Sequence, residues 1–132
     1  MFSDFDMPAI LKAARGGDMK RVKKCVERGD DIDIQSDFGG VTPLHYAVSE
    51  YYSDIAEYLI KEGADINIRS DEGSTALHLA VSEGQRDIAE YLIKAGADIH
   101  TRANDGNTAL LLAVSEGQRD IAEYLIKAGA DI

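Results

Sequence analysis

The sequence predicts an all-α repeat solenoid, in which stacked helix–turn–helix units are joined by hairpin-like loops. Three observations carry that prediction. Residues 81–99 and 114–132 are the same nineteen letters, VSEGQRDIAEYLIKAGADI, thirty-three positions apart. The same period spaces Thr42, Thr75 and Thr108, then Gly63, Gly96 and Gly129, and the pairs Ala47-Val48, Ala80-Val81 and Ala113-Val114. Each period holds two short runs of apolar residues at helical spacing, parted by a turn. A fixed period of about 20–50 residues signals units that bury their apolar faces only against one another. Such a stack offers a broad surface to a partner and no closed pocket for a reaction.

The elements follow in order. The first unit, ILKAARGGDMKRVKKCVERGDDID from Ile10, is the most divergent, yet Gly17 to Gly29 spans the same twelve residues as Gly84 to Gly96. Full units begin at Thr42 (TPLHYAVSEYYSDIAEYLIKEGADIN), Thr75 (TALHLAVSEGQRDIAEYLIKAGADIH) and Thr108 (TALLLAVSEGQRDIAEYLIKAGADI). Gly29 to Gly63 is 34 residues because DFGGVT is one longer than DEGST, an insertion that loop closure tolerates easily. In the second full unit, residues 76–83 form a short helix with Leu77, Ala80 and Val81 on one face. Gly84 ends it. Residues 87–95 form the second helix, with Ile88, Leu92 and Ile93 apolar. Asp87 at its start and Lys94 at its end suit the helix dipole. Glu90 and Lys94 stand in the favourable i,i+4 order, as do Glu57 with Lys61 and Glu123 with Lys127. Gly96 supplies the left-handed position that closes the helix.

The motifs TPLH and GADIN, recurring in phase over residues 8–132, resemble the ankyrin repeat. The resemblance implies L-shaped units: antiparallel helices in two rows, with fingers projecting at right angles. It implies that Thr42, His45, Thr75 and His78 tie fingers to helix starts, and that Ala47, Ala80 and Ala113 permit close helix packing. The chain departs from the family pattern in three places. Pro43 becomes Ala76 and Ala109, the histidines at 45 and 78 become Leu111, and the inter-helix glycine of Gly17, Gly84 and Gly117 becomes Tyr51. One domain over residues 1–132 is expected, with a capping repeat over 5–36 and repeats over 37–69, 70–102 and 103–132.

Composition narrows the function. Apolar residues make up 45% of 132, enough for a continuous core, and no apolar run is long enough for a membrane span. MFSDFDMPAI lacks the basic and apolar regions of a secretory signal, so a cytoplasmic setting is expected. The lone Cys25 stands where later units carry Leu59, Leu92 and Leu125, which reads as a buried small hydrophobe. A net charge of −10 repels phosphates and excludes nucleic acid, while it would attract a basic protein partner. The cluster Lys20-Arg21-Val22-Lys23-Lys24 reads as a solvated helix face.

Catalytic chemistry finds no footing. His45 and His78 recur one period apart, but no further ligands are in register to complete a metal site. The carboxylates fall on outward helix faces, and no nucleophile elbow, phosphate loop or zinc-protease motif occurs. No enzymatic activity, cofactor or metal is expected. Tyr58, Tyr91 and Tyr124 form a column expected to pack between second helices.

The expected contact surface follows from the family frame: finger tips, finger bases and the exposed side of the first helices. In the first full unit this means Phe38, Val41, Ser49, Glu50, Tyr51 and Tyr52. The second gives Arg69, Asp71, Glu72, Ser74 and Glu83, and the third gives Arg102, Asn104, Asp105 and Asn107. Phe38, Val41, Tyr51 and Tyr52 are expected to form one apolar patch, because aromatic anchors dominate interfaces. A left-handed Tyr51 would be strained, so local rebuilding of its turn is also expected. At the other end, the last nineteen residues copy an interior repeat, so the outer face there should be apolar. A longer array, a second molecule on that face with self-association, and an engineered or recent duplication each account for it. Three function classes remain: a non-catalytic protein–protein interaction scaffold, a regulatory segment of a larger enzyme or effector, and a self-assembling repeat module.

Overall fold

The alternation of seven- and nine-residue helices is the signature of the fold. In a computed structural model, which describes residues 7–130, eight helices follow one another. They are α1 (Ala9–Arg15), α2 (Met19–Glu27), α3 (Pro43–Ser49), α4 (Ser53–Lys61), α5 (Ala76–Ser82), α6 (Arg86–Lys94), α7 (Ala109–Ser115) and α8 (Arg119–Lys127). No strand occurs among the described residues. The expected start of the capping repeat at residue 5 and the end of the last repeat at 132 lie outside the described residues. The chain divides into two compact units, residues 1–65 and 66–132, each with two helix pairs.

Helices this short are below the about 12–15 residues at which an isolated helix becomes even marginal in water. Their ends are therefore specified closely. Thr42 caps α3 and Thr75 caps α5: each hydroxyl accepts the N–H of the histidine three residues on, and the histidine Nδ1 accepts the threonine N–H in return. Thr108 caps α7 through the Leu111 N–H, but leucine cannot return the bond. Both helices of a pair end in the same left-handed turn. After α6, the Gly96 N–H donates to Ile93 O (3.1 Å) and the Ala97 N–H to Leu92 O (2.9 Å). After α5, the Gly84 N–H donates to Val81 O (3.0 Å) and the Gln85 N–H to Ala80 O (2.8 Å).

In the first unit, α1 packs on α2 and α3, and α3 on α4. Leu11, Ala14, Val22 and Cys25 bury against Leu44, Ala47, Ile55 and Leu59. Cys25 fills the place of a core leucine, as its position in the repeat implies. In the second unit, α5 packs on α6 and α7, and α8 on α6 and α7. Leu77, Ala80, Val81, Ile88 and Leu92 face Leu110, Ala113, Ile121 and Leu125. Ala47, Ala80 and Ala113 are fully buried, so the helix rows approach as closely as a methyl group allows.

The surface ion pairs run opposite to the sequence expectation. Glu90 accepts from Arg86 Nε (2.9 Å) and Glu123 from Arg119 Nε (3.4 Å), while neither pairs with the lysine that follows it. The arginine is favoured because its fork can hold two carboxylates at once: Arg86 Nη1 also reaches Asp120 on α8 (3.1 Å). In the first unit Ser53 stands in the arginine's place, and Glu57 forms no ion pair with Lys61. Tyr58 takes the Lys23 ammonium 5.6 Å from its ring centre, which joins α2 to α4.

Burial pushes the Cys25 thiol above its ordinary range, helped by Asp30 and opposed by Arg28. A thiol pKa higher in the folded than in the unfolded chain gives stability that is complete below the unfolded pKa and declines as pH rises through the folded one. Urea unfolding from neutral to alkaline pH should show this decline, and the Cys25→Val variant should lack the thiol's part of it. Alkylation of Cys25 in the native chain should proceed no faster than unfolding.

Candidate interaction surface

The fingers are held by their own polar groups. In the first, Ser36 N–H donates to Val41 O (2.9 Å) and Val41 N–H to Ser36 Oγ (3.0 Å), while Gln35 Nε2 donates to Gly40 O (2.8 Å). The Ser36 hydroxyl donates to Phe38 O (2.6 Å), which fixes the backbone beneath the Phe38 ring. That ring is 70% exposed at the finger tip, and Val41 is half-buried. In the second unit, Arg69 Nε donates to Gly73 O (3.2 Å) and Arg102 Nη1 to Gly106 O (2.8 Å), each closing its own finger.

A second set of bonds links the finger over 70–75 to the finger over 103–108. Arg69 Nη2 donates to Arg102 O (2.7 Å), the Asn104 N–H to Glu72 O (2.9 Å), and Asn104 Nδ2 to Asp71 O (2.8 Å). The approach is close enough that a Cβ on Gly73 would lie 2.5 Å from Asn104 Oδ1, so only glycine fits there. His78 completes the link. Its Nδ1 accepts the Thr75 N–H, so the ring proton sits on Nε2, which donates to Asn107 O (3.0 Å). The Asn107 N–H donates to Asp105 Oδ1 (3.0 Å), which orders the turn.

These bonds divide the residues expected at the surface. Arg69, Arg102 and Asn104 spend side-chain donors on the protein's own backbone, Asn107 donates through Nδ2 to Asp105 Oδ2 (3.1 Å), and all four position the fingers. Asp71, Glu72 and Asp105 are exposed along the finger tips, and Glu83 is exposed at the end of α5. Ser74 is half-buried. In the first unit, Glu50 is exposed, and Ser49 is half-buried with its hydroxyl donating to Tyr46 O (3.3 Å).

The expected patch of Phe38, Val41, Tyr51 and Tyr52 is corrected in two ways. Tyr52 turns back onto the preceding helix pair, where its ring covers the Gly17 turn: a Cβ on Gly17 would lie 2.5 Å from it. Gln118 does the same over Gly84. Phe38 precedes α3 and Tyr51 follows it, so a helix of about 10 Å lies between their positions in the chain. Nor is the Tyr51 turn rebuilt. Tyr51 holds φ 67°, like Gly84 at 67° and Gly117 at 69°, and keeps the same closing bonds: Tyr51 N–H to Val48 O (3.1 Å) and Tyr52 N–H to Ala47 O (2.8 Å). Its side chain is 58% exposed. A bulky residue held in a conformation that favours glycine carries backbone strain.

The outer face of α7 and α8 is apolar, as its sequence implies. Leu111, Val114 and Ile126 are 46%, 66% and 42% exposed, whereas Val81, the counterpart of Val114, is fully buried. Val114 and Ile126 lie in the nineteen residues whose sequence predicts that apolar face. A groove of about 450 Å³ beside them is lined by Ile99, His100, Arg102, Thr108, Leu110, Leu111 and Ala130. Among the described residues no cluster of His, Cys, Asp and Glu could hold a metal ion, and no helix is long and apolar enough to cross a membrane.

Comparison with known proteins points the same way. Residues 10–103 and 69–132 match the family model of ankyrin repeats in three copies. Human protein phosphatase 1 regulatory subunit 27 is 45% identical over 67 residues, 51% of this chain and 43% of that protein. Human ankyrin repeat domain-containing protein 40 is 38% identical over 64 residues, 48% of this chain and 17% of that protein. The human 2-5A-dependent ribonuclease is 37% identical over 70 residues, 53% of this chain and 9% of that protein. The chain thus matches less than half the length of each of these relatives.

The strain at position 51 is directly measurable. Tyr51→Gly should stabilise the chain by about 1 kcal/mol in urea unfolding, because glycine adopts the left-handed turn without steric cost. A loss of stability would mean that the contacts of the ring outweigh the strain of its turn.

Proposed function

The chain belongs to the ankyrin-repeat family, and from that premise we propose that it is a non-catalytic scaffold that binds a folded protein or an extended segment. Ankyrin repeats mediate protein–protein interaction. The finer proposal is that the finger loops and the exposed sides of the first helices make the contact, with the capping repeat and the repeats over 37–69, 70–102 and 103–132 serving one interaction domain. The observation that carries it is the split within the surface. Side-chain bonds from Gln35, Arg69, Arg102, Asn104 and His78 to backbone carbonyls lock the fingers, while Phe38, Asp71 and Glu72 are exposed on the fingers and Tyr51 and Glu83 just past the ends of α3 and α5. Such a surface is ordered before it binds, so little conformational entropy is lost on docking.

The partner is proposed to be basic. The chain carries a net charge of −10, and Glu50, Asp71, Glu72, Glu83 and Asp105 are all exposed. An intracellular setting belongs to the same proposal, supported by the use of the only cysteine as buried packing. The likeness to a phosphatase regulatory subunit and to a much longer ribonuclease favours a second reading, a regulatory segment acting on chemistry located elsewhere. Self-association through α7 and α8 is also proposed, on the exposure of Leu111, Val114 and Ile126.

The scaffold reading is tested by affinity capture with the intact chain, followed by titration of the recovered protein against variants. Phe38→Ala and Tyr51→Gly should each weaken binding by about 1 kcal/mol or more. Glu83→Lys should slow association and flatten its salt dependence. Because Tyr51→Gly is expected to stabilise the fold, a weaker complex with that variant reports on contact alone. Unchanged affinity for all three variants contradicts the proposed surface.

A further inference from the structure

One face of α5 and of α7 stays partly open although each helix packs on its neighbours. Leu79 is half-buried and Ser82 exposed on α5, and one period on Leu112 is half-buried and Ser115 exposed on α7. This match separates the face from the one that holds Val114, which differs in burial from Val81. Helix α5 lies against α7 and α6 against α8, so the face runs on from α5 to α7. A carboxylate ends it on each helix. Glu83 and Glu116 are the C-caps, with φ −88° and −91° and ψ 2°, so the chain is still close to helical there. Each therefore stands one turn beyond its leucine, at i+4 on the same side. An acid at this end opposes the helix dipole, whereas Lys94 and Lys127 suit it in the last turns of α6 and α8. In the first unit α3 has the same pattern: Tyr46 is half-buried, and its C-cap Glu50 is exposed.

We propose that this face docks an amphipathic α-helix of a partner protein. Its apolar side lies on Leu79 and Leu112, and a row of lysine or arginine along one edge meets Glu83 and Glu116. The inference rests on the scaffold reading and narrows its partner to a basic helix. Three features select that occupant. Helices α5 and α7 span seven residues each, about 10 Å, which matches the diameter of an α-helix laid across them. Their backbone groups are spent within the helices, so the face offers nothing to the backbone of an extended segment, while a helix satisfies its own. The two glutamates complement cations, and their place at one end of α5 and α7 fixes which edge of the docked helix is basic.

Fluorescence anisotropy of the intact chain with three labelled synthetic peptides of about 18 residues, long enough to cross both helices, tests the proposal. The first peptide is an amphipathic helix with a leucine face and lysines along one edge. The second carries glutamate for lysine, and the third is the first with two prolines placed inside it, which prevents the helix. The first should bind at least about tenfold more tightly than either control. Glu83→Lys and Glu116→Lys should each weaken it by about tenfold or more. Asp87→Lys makes the same change of net charge on α6 and should alter it by less than about twofold. Both glutamate variants should stay folded, because lysine suits the C-terminal end of a helix. No binding of the first peptide overturns the proposal, and equal binding of the proline peptide overturns the helical occupant. A loss with Asp87→Lys as large as with the glutamate variants assigns the attraction to net charge and overturns the site. If the helix fails while a captured partner still depends on Phe38, the scaffold reading stands and this inference falls.

Discussion

Burial of one helix pair by its neighbour is the constraint on which everything else depends. Helices of seven and nine residues have no independent stability, and each exposes an apolar stripe that only the adjoining pair can cover. Within the second unit the effect is visible in identical letters. Val81 lies under α7 and is lost to solvent, while Val114, one period later, is 66% exposed. The sequence of a repeat does not decide the burial of its residues. Its neighbour does.

The polar groups serve the same end. The threonine and histidine of TPLH and TALH terminate a helix, and His78 goes on to bind the next finger, so one side chain couples local structure to stacking. Arg69 similarly closes its own finger and then reaches Arg102 O. These bonds leave a set of exposed side chains on a backbone that is already ordered, which is the property a docking surface needs. Tyr51 keeps the left-handed turn that glycine makes in the other repeats, with the backbone strain that a side chain adds there.

Most of the fold was legible because it is written as periodicity. Helix spans, caps, the glycine turns and the leucine-like burial of Cys25 follow from spacing and position within the period. The surface was less legible, because a letter does not show where a long side chain goes. Arg69, Arg102 and Asn104 read as contact residues but bond to carbonyls of the fingers; their spacing from Gly73 and Gly106 was the available signal. Tyr51 and Tyr52 are adjacent letters with opposite fates, because one points to solvent and the other falls on the Gly17 turn. Glu90 was read with Lys94, yet Arg86 held it, since a guanidinium could also reach a carboxylate on the next helix.

The most direct test of neighbour-dependent burial uses the chain's own duplication. Residues 81–99 and 114–132 share every letter, so their amides have nearly the same intrinsic exchange chemistry. Native-state hydrogen exchange, run dilute enough to keep the chain monomeric, compares the two directly. Greater protection in α5 and α6 than in α7 and α8 is the predicted result. Equal protection would mean that each pair is stable by itself, and would contradict the account.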